Sequence, residues 1–395
     1  MGPGSNTNAT GPDSNTNATG PDSNTNATGP EVRRGRIYST PRCNGGNNTT
    51  STMGPDSSTC VLLMVSGGSD SMAMLELAAL AASGDAPQGP VGAKLARMFA
   101  ASLPQDSEPS FLVLHVNHLL RGKASDGDEE FVVRRCQELG VPFRVRRVDV
   151  AALAKRSGHG MEAVARGERY RLAAEVLATA TQSGDGFIFT AHTLDDRVET
   201  FLMRSLVGTG PGGLASIPRR RGNIVRPLLD ATREELRTFL AEQHPAASST
   251  TELWRDDATN DDGSNFRSQV RGELVPVMRK LKPGFEASLA RTMDLIAEED
   301  DARSQAAQGI VYRNLTYDDA GASLPLKALD GIDVPLKRRV IRQCLLVVNP
   351  DARLEAAQIQ RVIDGIASGQ PFAVDVDSSI RVNGDAQTLR MRVVR

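Results

Sequence analysis

The segment Ser66-Gly67-Gly68-Ser69-Asp70-Ser71 has the composition of a phosphate-holding loop. Paired glycines let the backbone approach a polyphosphate closely and leave N–H groups aimed at it. Three serines add hydroxyl donors, and a helix starting here would point its positive end at the same spot. The run lacks the GxxxxGK[ST] pattern of a Walker loop. Asp70 belongs beside phosphates only if a cation such as Mg²⁺ lies between them. The expected nucleotide is ATP, held by Ser66, Gly67, Gly68, Ser69, Asp70 and Ser71.

A second constellation is His192, Asp195, Asp196 and Glu199. Helical spacing puts these four on one face, apart from an apolar stripe of Leu194, Val198, Phe201 and Leu202. Carboxylates there can hold Mg²⁺, receive an amine or move a proton. A solvated face with acids near a helix N-terminus is the bland alternative. A third group, HVNHLLRG at 115–122, ends a second apolar run. His115 reads best as a satisfied histidine, while His118 and Arg121 are expected to meet a ligand. Gly208–Gly213 is a glycine cluster that could simply end a helix. Arg267 and Arg271, with Arg279 and Lys280, form a basic face suited to RNA phosphates. A solvated face fits that pattern equally well.

These residues need elements to hold them. Cys60–Val65 is a continuous apolar run, as expected for a strand buried on both faces. Ser71–Ala82 carries apolar residues at helical spacing. Residues 84–109, rich in Gly, Pro and Gln, read as an inserted surface excursion with a short helix near Ala93–Ala101. Strands are expected at Phe111–Val116, Phe143–Val148 and Phe187–Thr190. Helices are expected at Asp128–Leu139, Glu162–Thr179 and Asp195–Leu206. Such alternation means a mostly parallel α/β sheet with helices on both faces. Helices follow at Arg233–Glu242, Phe266–Lys280 and Phe285–Ala307, then at Leu336–Leu346 and Leu354–Ala367. Short strands at Phe372–Val376 and Ser379–Val382 complete the expectation. The domains expected are a tail (1–58), an ATP-binding domain (59–232), a helical linker domain carrying the basic face (233–310) and a small α+β C-terminal domain (311–395).

The first residues repeat a nine-residue unit, GPDSNTNAT, with nothing apolar beyond Ala and Pro. Such a tail buries too little to offset its ordering entropy and is expected to be disordered. The four cysteines, Cys43, Cys60, Cys136 and Cys344, form no CxxC pair, which argues against a zinc ribbon and a secreted disulfide framework. No apolar stretch is long enough for a membrane span, and no secretory signal is visible, so a cytoplasmic location is expected. The net charge of −2 is too small to announce a nucleic-acid partner. The positive charge is mostly arginine, with runs at Arg219–Arg221 and Lys337–Arg339.

Taken together, the motifs resemble the PP-loop ATP pyrophosphatases. Within that group they resemble the tRNA(Ile)-lysidine synthases. The resemblance rests on SGGSDS (66–71), HVNHLLRG (115–122), AVARGERYR (163–171), AHTLDDRVET (191–200), GTGPGGL (208–214), RPLL (226–229) and DATNDDGSNFRSQVRGELVP (257–276). It is strongest over 60–276. It implies a parallel-sheet PP-loop domain, ATP and Mg²⁺ as cofactors, and a ligase that joins free lysine to C2 of a wobble cytidine. The implied acceptor is tRNA(Ile) with a CAU anticodon, reached through an adenylated intermediate. Asp70, Asp196 and Glu199 are the implied catalytic groups, with Asp70 and Asp196 as Mg²⁺ candidates. His118, Arg121, Arg166, Arg169, His192 and Asp195 are candidates for charge clamping or substrate contact, and Arg267 and Arg271 for tRNA. A homodimer is a further expectation. Thr193, Arg197, Leu119, Ser268 and Gly272 depart from the family's usual residues and bear on substrate geometry. The rival readings are a thiolating PP-loop enzyme, disfavoured by the missing CxxC pairs, and a catalytically inactive tRNA-binding homologue.

Overall fold

β1 (Thr59–Met64) shows why a continuous apolar strand lies at the centre of this fold. Successive side chains point to opposite faces of a sheet. Val61 and Leu63 enter one hydrophobic core, while Cys60, Leu62 and Met64 enter another. The computed structural model describes residues 59–181, 186–247, 249–255, 265–318, 321–350, 352, 354–376 and 378–394. The N-terminal repeats, Cys43 and most of the Asp-rich stretch before Asn265 lie outside the described residues.

β1 leads into α1 (Ser69–Ser83), then α2 (Gly89–Ala100), β2 (Pro109–Asn117), α3 (Lys123–Glu138), β3 (Phe143–Arg147), α4 (Val150–Ser157) and α5 (Met161–Ala180). β4 (Gly186–Thr190), α6 (Leu194–Val207), α7 (Pro211–Leu214), β5 (Arg220–Arg221), β6 (Ile224–Val225) and α8 (Arg233–Gln243) follow. The sheet order is β3-β2-β1-β4-β6-β5, parallel except for the edge strand β5. Chain order runs outward from β1 through β2 to β3, then returns to β4 on the other side. The carboxyl ends of β1 and β4 therefore flank the topological switch point, where open α/β sheets bind ligands. Met64 and Thr190 are register partners, so the segments that leave them start side by side.

The core on one face gathers α1, α2, α3 and α8, and the core on the other is formed largely by α5 through Leu172, Ala173, Val176 and Leu177. Two expectations change here. Residues 84–109 do not form a surface excursion, because Leu95 and Phe99 of α2 are fully buried and Phe99 packs edge-on against Phe189 of β4. The Gly and Pro residues mask that amphipathic turn in a composition-based reading. α8 also packs against α1 and buries Leu236, Phe239 and Leu240 in the sheet's core rather than opening the helical region. α4 was not expected; Asp149 caps it by accepting the Ala152 N–H at 2.9 Å, and Gly158 ends it in a left-handed conformation.

α9 (Phe266–Gln269), a π-helical turn (Val270–Leu274) and α10 (Val275–Leu281) replace the single helix expected over Phe266–Lys280. A 30-residue helix, α11 (Phe285–Asn314), follows. The last region holds β7 (Thr316–Asp318), β8 (Gly321–Pro325), α12 (Val334–Val348), α13 (Ala356–Ala367), β9 (Phe372–Asp375), β10 (Ile380–Gly384) and β11 (Thr388–Val393). Its strands form an antiparallel sheet in the order β7-β8-β11-β10-β9, with a core of its own. No described helix is long and apolar enough to cross a membrane.

Candidate functional site at the switch point

The loop after β1 closes on Ser71. Its Oγ accepts the N–H groups of Ser66 and Gly67, each at 3.2 Å, and donates to the Gly68 carbonyl at 3.0 Å. Gly67 lies at φ +99°, and a Cβ there would also meet Val132 at 3.4 Å, so only glycine suits the position. α1 starts next to the loop, and its first N–H groups have no intrahelical partner. The loop is braced from outside by Arg255, whose N–H donates to the Gly67 carbonyl at 2.9 Å. The Arg255 guanidinium lies 3.5 Å from Asp128.

Across the switch point, Thr193 caps α6. Its Oγ1 accepts the Asp196 N–H at 3.3 Å, and Asp196 Oδ2 accepts the Thr193 N–H at 2.9 Å. Thr193 therefore starts the acidic helix. This also corrects the expected helical face. His192 precedes the helix, with Nδ1 3.0 Å from Thr190 Oγ1. The acidic group on the helix is Asp195, Asp196 and Glu199. The apolar stripe of Leu194, Val198 and Leu202 packs against Val270, Val275 and Phe285, as its spacing requires.

Each of these carboxylates meets arginine. Glu199 is buried and accepts Arg271 Nε at 2.6 Å, Arg271 Nη2 at 3.0 Å and Arg267 Nε at 2.8 Å. Arg267 Nη2 also reaches Asp196 Oδ1 at 2.9 Å. Arg279 donates to Asp195 at 3.0 Å. Arg267 and Arg271 are thus tied to the acidic helix instead of forming a free RNA-facing stripe; their sequence spacing could not show what they would meet. Arg233, which sequence reasoning passed over, joins the two motifs. Its Nε donates to Asp70 at 3.3 Å, its Nη2 lies 3.7 Å from Asp196, and its backbone N–H donates to Asp195 at 2.8 Å. Burial pushes the Asp70 carboxyl above the usual carboxylate range; Arg233 opposes this, and the nearby charge of Asp196 adds to it. A cavity of about 80 Å³ lies among Asp195, Glu199, Glu286, Arg233, Arg271 and Arg279. Its walls carry both signs of charge.

The other candidates occupy neighbouring ground. His115 is buried and donates from Nδ1 to the Val65 carbonyl at 2.9 Å, which ties β2 to the start of the loop. His118 Nε2 faces Arg169 Nη2 at 3.3 Å, and Arg121 pairs with Asp128 at 2.6 Å. Arg166 stacks over Tyr170, 5.2 Å from the ring centre. Burial pushes both His118 and His192 down to about 4. Arg169 adds to the effect at His118, while at His192 the Asp196 charge opposes it. Both imidazoles are neutral at pH 7. The unfolded chain, with histidine near its ordinary value of about 6.5, binds more protons below that pH. Their contribution to stability is thus complete above about pH 6.5 and is lost as pH falls toward 4; Asp70 acts in the opposite direction. Thermal melts from pH 7 to 4.5 should show a shallower decline in a His118→Gln, His192→Gln variant than in the native protein. Equal slopes would refute the assignment.

Arg197 takes no part in this site. It is buried and pairs with Asp230 at 3.2 Å and Asp294 at 2.7 Å, linking α6 to α11. Both acids remain solvated, with side-chain exposures of 38% and 42%. Removing the arginine therefore strands no buried charge. Arg197→Gln should lower the unfolding free energy by about 1–3 kcal/mol through lost charged hydrogen bonds and packing, read from the urea midpoint.

A family model described as a PP-loop domain matches residues 45–278. The chain is 36% identical over 262 residues to tRNA(Ile)-lysidine synthase of Thermus thermophilus, covering 64% of this chain and 48% of that protein. It is 30% identical over 315 residues to the Geobacter sulfurreducens tRNA(Ile)-lysidine synthase, covering 79% and 60%. Against the enzyme of the same name from Chlorobaculum tepidum it is 32% identical over 290 residues, covering 72% and 77%. The chain thus spans about half the length of the Thermus relative, and the loop, the acidic helix, Arg233, Arg267 and Arg271 fall inside the matched PP-loop region. By these matches the chain belongs to the tRNA(Ile)-lysidine synthase family of PP-loop proteins.

Proposed function

We propose that this protein joins free L-lysine to C2 of the wobble cytidine of a tRNA(Ile) with a CAU anticodon. The observation that carries the reading is Arg233, which links Asp70 of the phosphate loop to Asp196 of the acidic helix and so makes one site of two motifs. ATP would lie against the loop, with its phosphates facing Gly67, Gly68 and the start of α1. The cytidine O2 attacks the α-phosphate and pyrophosphate leaves. The lysine ε-amine then attacks C2; a C–N bond forms, the C–O bond to AMP breaks, and the amine loses a proton. Arg233 and Arg267 would offset phosphate charge, and Asp196 would orient the amine or take its proton. The cavity's mixed walls suit a zwitterionic amino acid, with guanidiniums for its carboxylate and carboxylates for its ammonium groups.

Asp70 and Asp196 already converge on one cation, the Arg233 guanidinium, so the pair fits a Mg²⁺ held jointly with phosphate oxygens. Bound there, Mg²⁺ would supply charge neutralisation of the polyphosphate. A cytoplasmic location and a homodimer go with this reading; sedimentation of the full chain tests the second. The direct test combines an unmodified tRNA(Ile) transcript, ATP, Mg²⁺ and labelled lysine. Labelled tRNA with matching AMP and pyrophosphate is expected. ATP consumption without label in the tRNA would overturn the reading.

A further inference from the structure

Leu119 and Leu120 stand at the carboxyl end of β2, exposed to 44% and 46%. Leu119 also holds φ +56°, a left-handed conformation that bulky residues seldom adopt. Neither feature is repaid by burial. The backbone is nevertheless built to keep the turn. Asn117 is buried, and its Oδ1 accepts the Leu119 N–H at 3.0 Å. The Asn117 amide donates to Glu129 at 3.0 Å, and Glu129 is gripped by Arg147 through two bonds of 2.8 Å. Beyond the leucines, the Arg121 N–H donates to Ser125 Oγ at 3.2 Å. A buried polar network thus holds an apolar tip in solvent.

Two guanidiniums flank the tip. Arg169 lies against His118 on one side, and Arg121, ion-paired with Asp128 at 2.6 Å, follows directly on the other. β2 runs parallel to β1, and the Val65 N–H donates to the Leu114 carbonyl, so the tip leaves the sheet beside the phosphate loop. Apolar surface between guanidiniums is the chemistry that receives a nucleobase and its flanking phosphates. An enzyme acting on a base must take that base from its stack, and apolar side chains inserted at a base step do this elsewhere.

We propose that Leu119 and Leu120 are a nucleobase contact, against which RNA bases rest when the reacting cytidine is displaced. The inference rests on the reading that RNA is the acceptor. Glycine tolerates φ +56° better than leucine, so Leu119→Gly removes the side chain while easing the backbone. Leu120→Ser changes an exposed side chain. The double variant should melt no lower than the native protein. Its KM for tRNA should rise about tenfold, as for loss of one buried leucine contact, with KM for ATP and lysine unchanged. A 2-aminopurine placed beside the wobble position should brighten on binding to the native protein and not to the double variant. A variant within twofold of native in both readouts overturns the proposal, as does a native protein that leaves 2-aminopurine dark. A variant that loses only concentration-dependent self-association also overturns it, since the tip would then be a surface between copies. If the native protein brightens the probe but transfers no lysine, the lysine reading fails and the contact stands.

Discussion

Asp196→Asn should lower lysine transfer by about 10²–10³-fold or more, a size typical of losing a positioned acid–base or charge-stabilising group. The melting transition should stay close to native. Both expectations follow from the two oxygens of this side chain. Oδ2 accepts the Thr193 N–H and completes the cap of α6, a role an asparagine carbonyl can keep. Oδ1 faces Arg267 at 2.9 Å and Arg233 at 3.7 Å, where asparagine offers no charge. The substitution thus separates helix start from chemistry at one residue. A radiolabelled-lysine assay with a parallel melt checks it. Unimpaired transfer would remove Asp196 from the proposed mechanism, and a collapsed melt would show that its charge is needed for the fold.

Glu199→Ala should destabilise the protein by about 3 kcal/mol, the low end for stripping one partner from a buried ion pair. Glu199 is 2% exposed and is the shared anion for Arg267 and Arg271. Without it, two guanidiniums four residues apart on one helical run lose their shared anion. Their side-chain exposures of 39% and 27% keep the cost from being larger. Urea unfolding measures this, and Glu199→Gln, which retains an acceptor, should lose less. Activity should fall with it, because Arg267 would no longer be held on Asp196. Had Glu199 only bound the lysine ammonium, Glu199→Gln would raise KM for lysine at unchanged stability. That result would reverse the role drawn here, in which Glu199 is a positioning residue for arginines.

Much of this arrangement was legible in one dimension. Cys60–Val65 announced a strand buried on both faces because it has no polar side chain to alternate. SGGSDS announced its loop because φ +99° at Gly67 leaves little choice of residue. The apolar stripe of α6 was readable because helical spacing decides which side chains can pack. The expected helix boundaries erred where local composition misled, as in α2, which begins at Gly89 and Pro90, four residues before the expected Ala93.

The sequence by itself determined the kind of sheet, the phosphate loop and the identity of the three acids, since each is encoded in residues close together. Only the tertiary structure decided what those acids face. Arg233 is 163 positions from Asp70, and Arg267 is 68 from Glu199. Periodicity carries no information across such distances. The strand order, with β4 beside β1, brings the loop and the acidic helix to one edge. The docking of the π-helical turn and α10 on the apolar stripe then brings the arginines to the acids. The same physics changed Arg267 and Arg271 from a free basic face into partners of Glu199: a buried carboxylate must be paired, and these were the cations packing delivered.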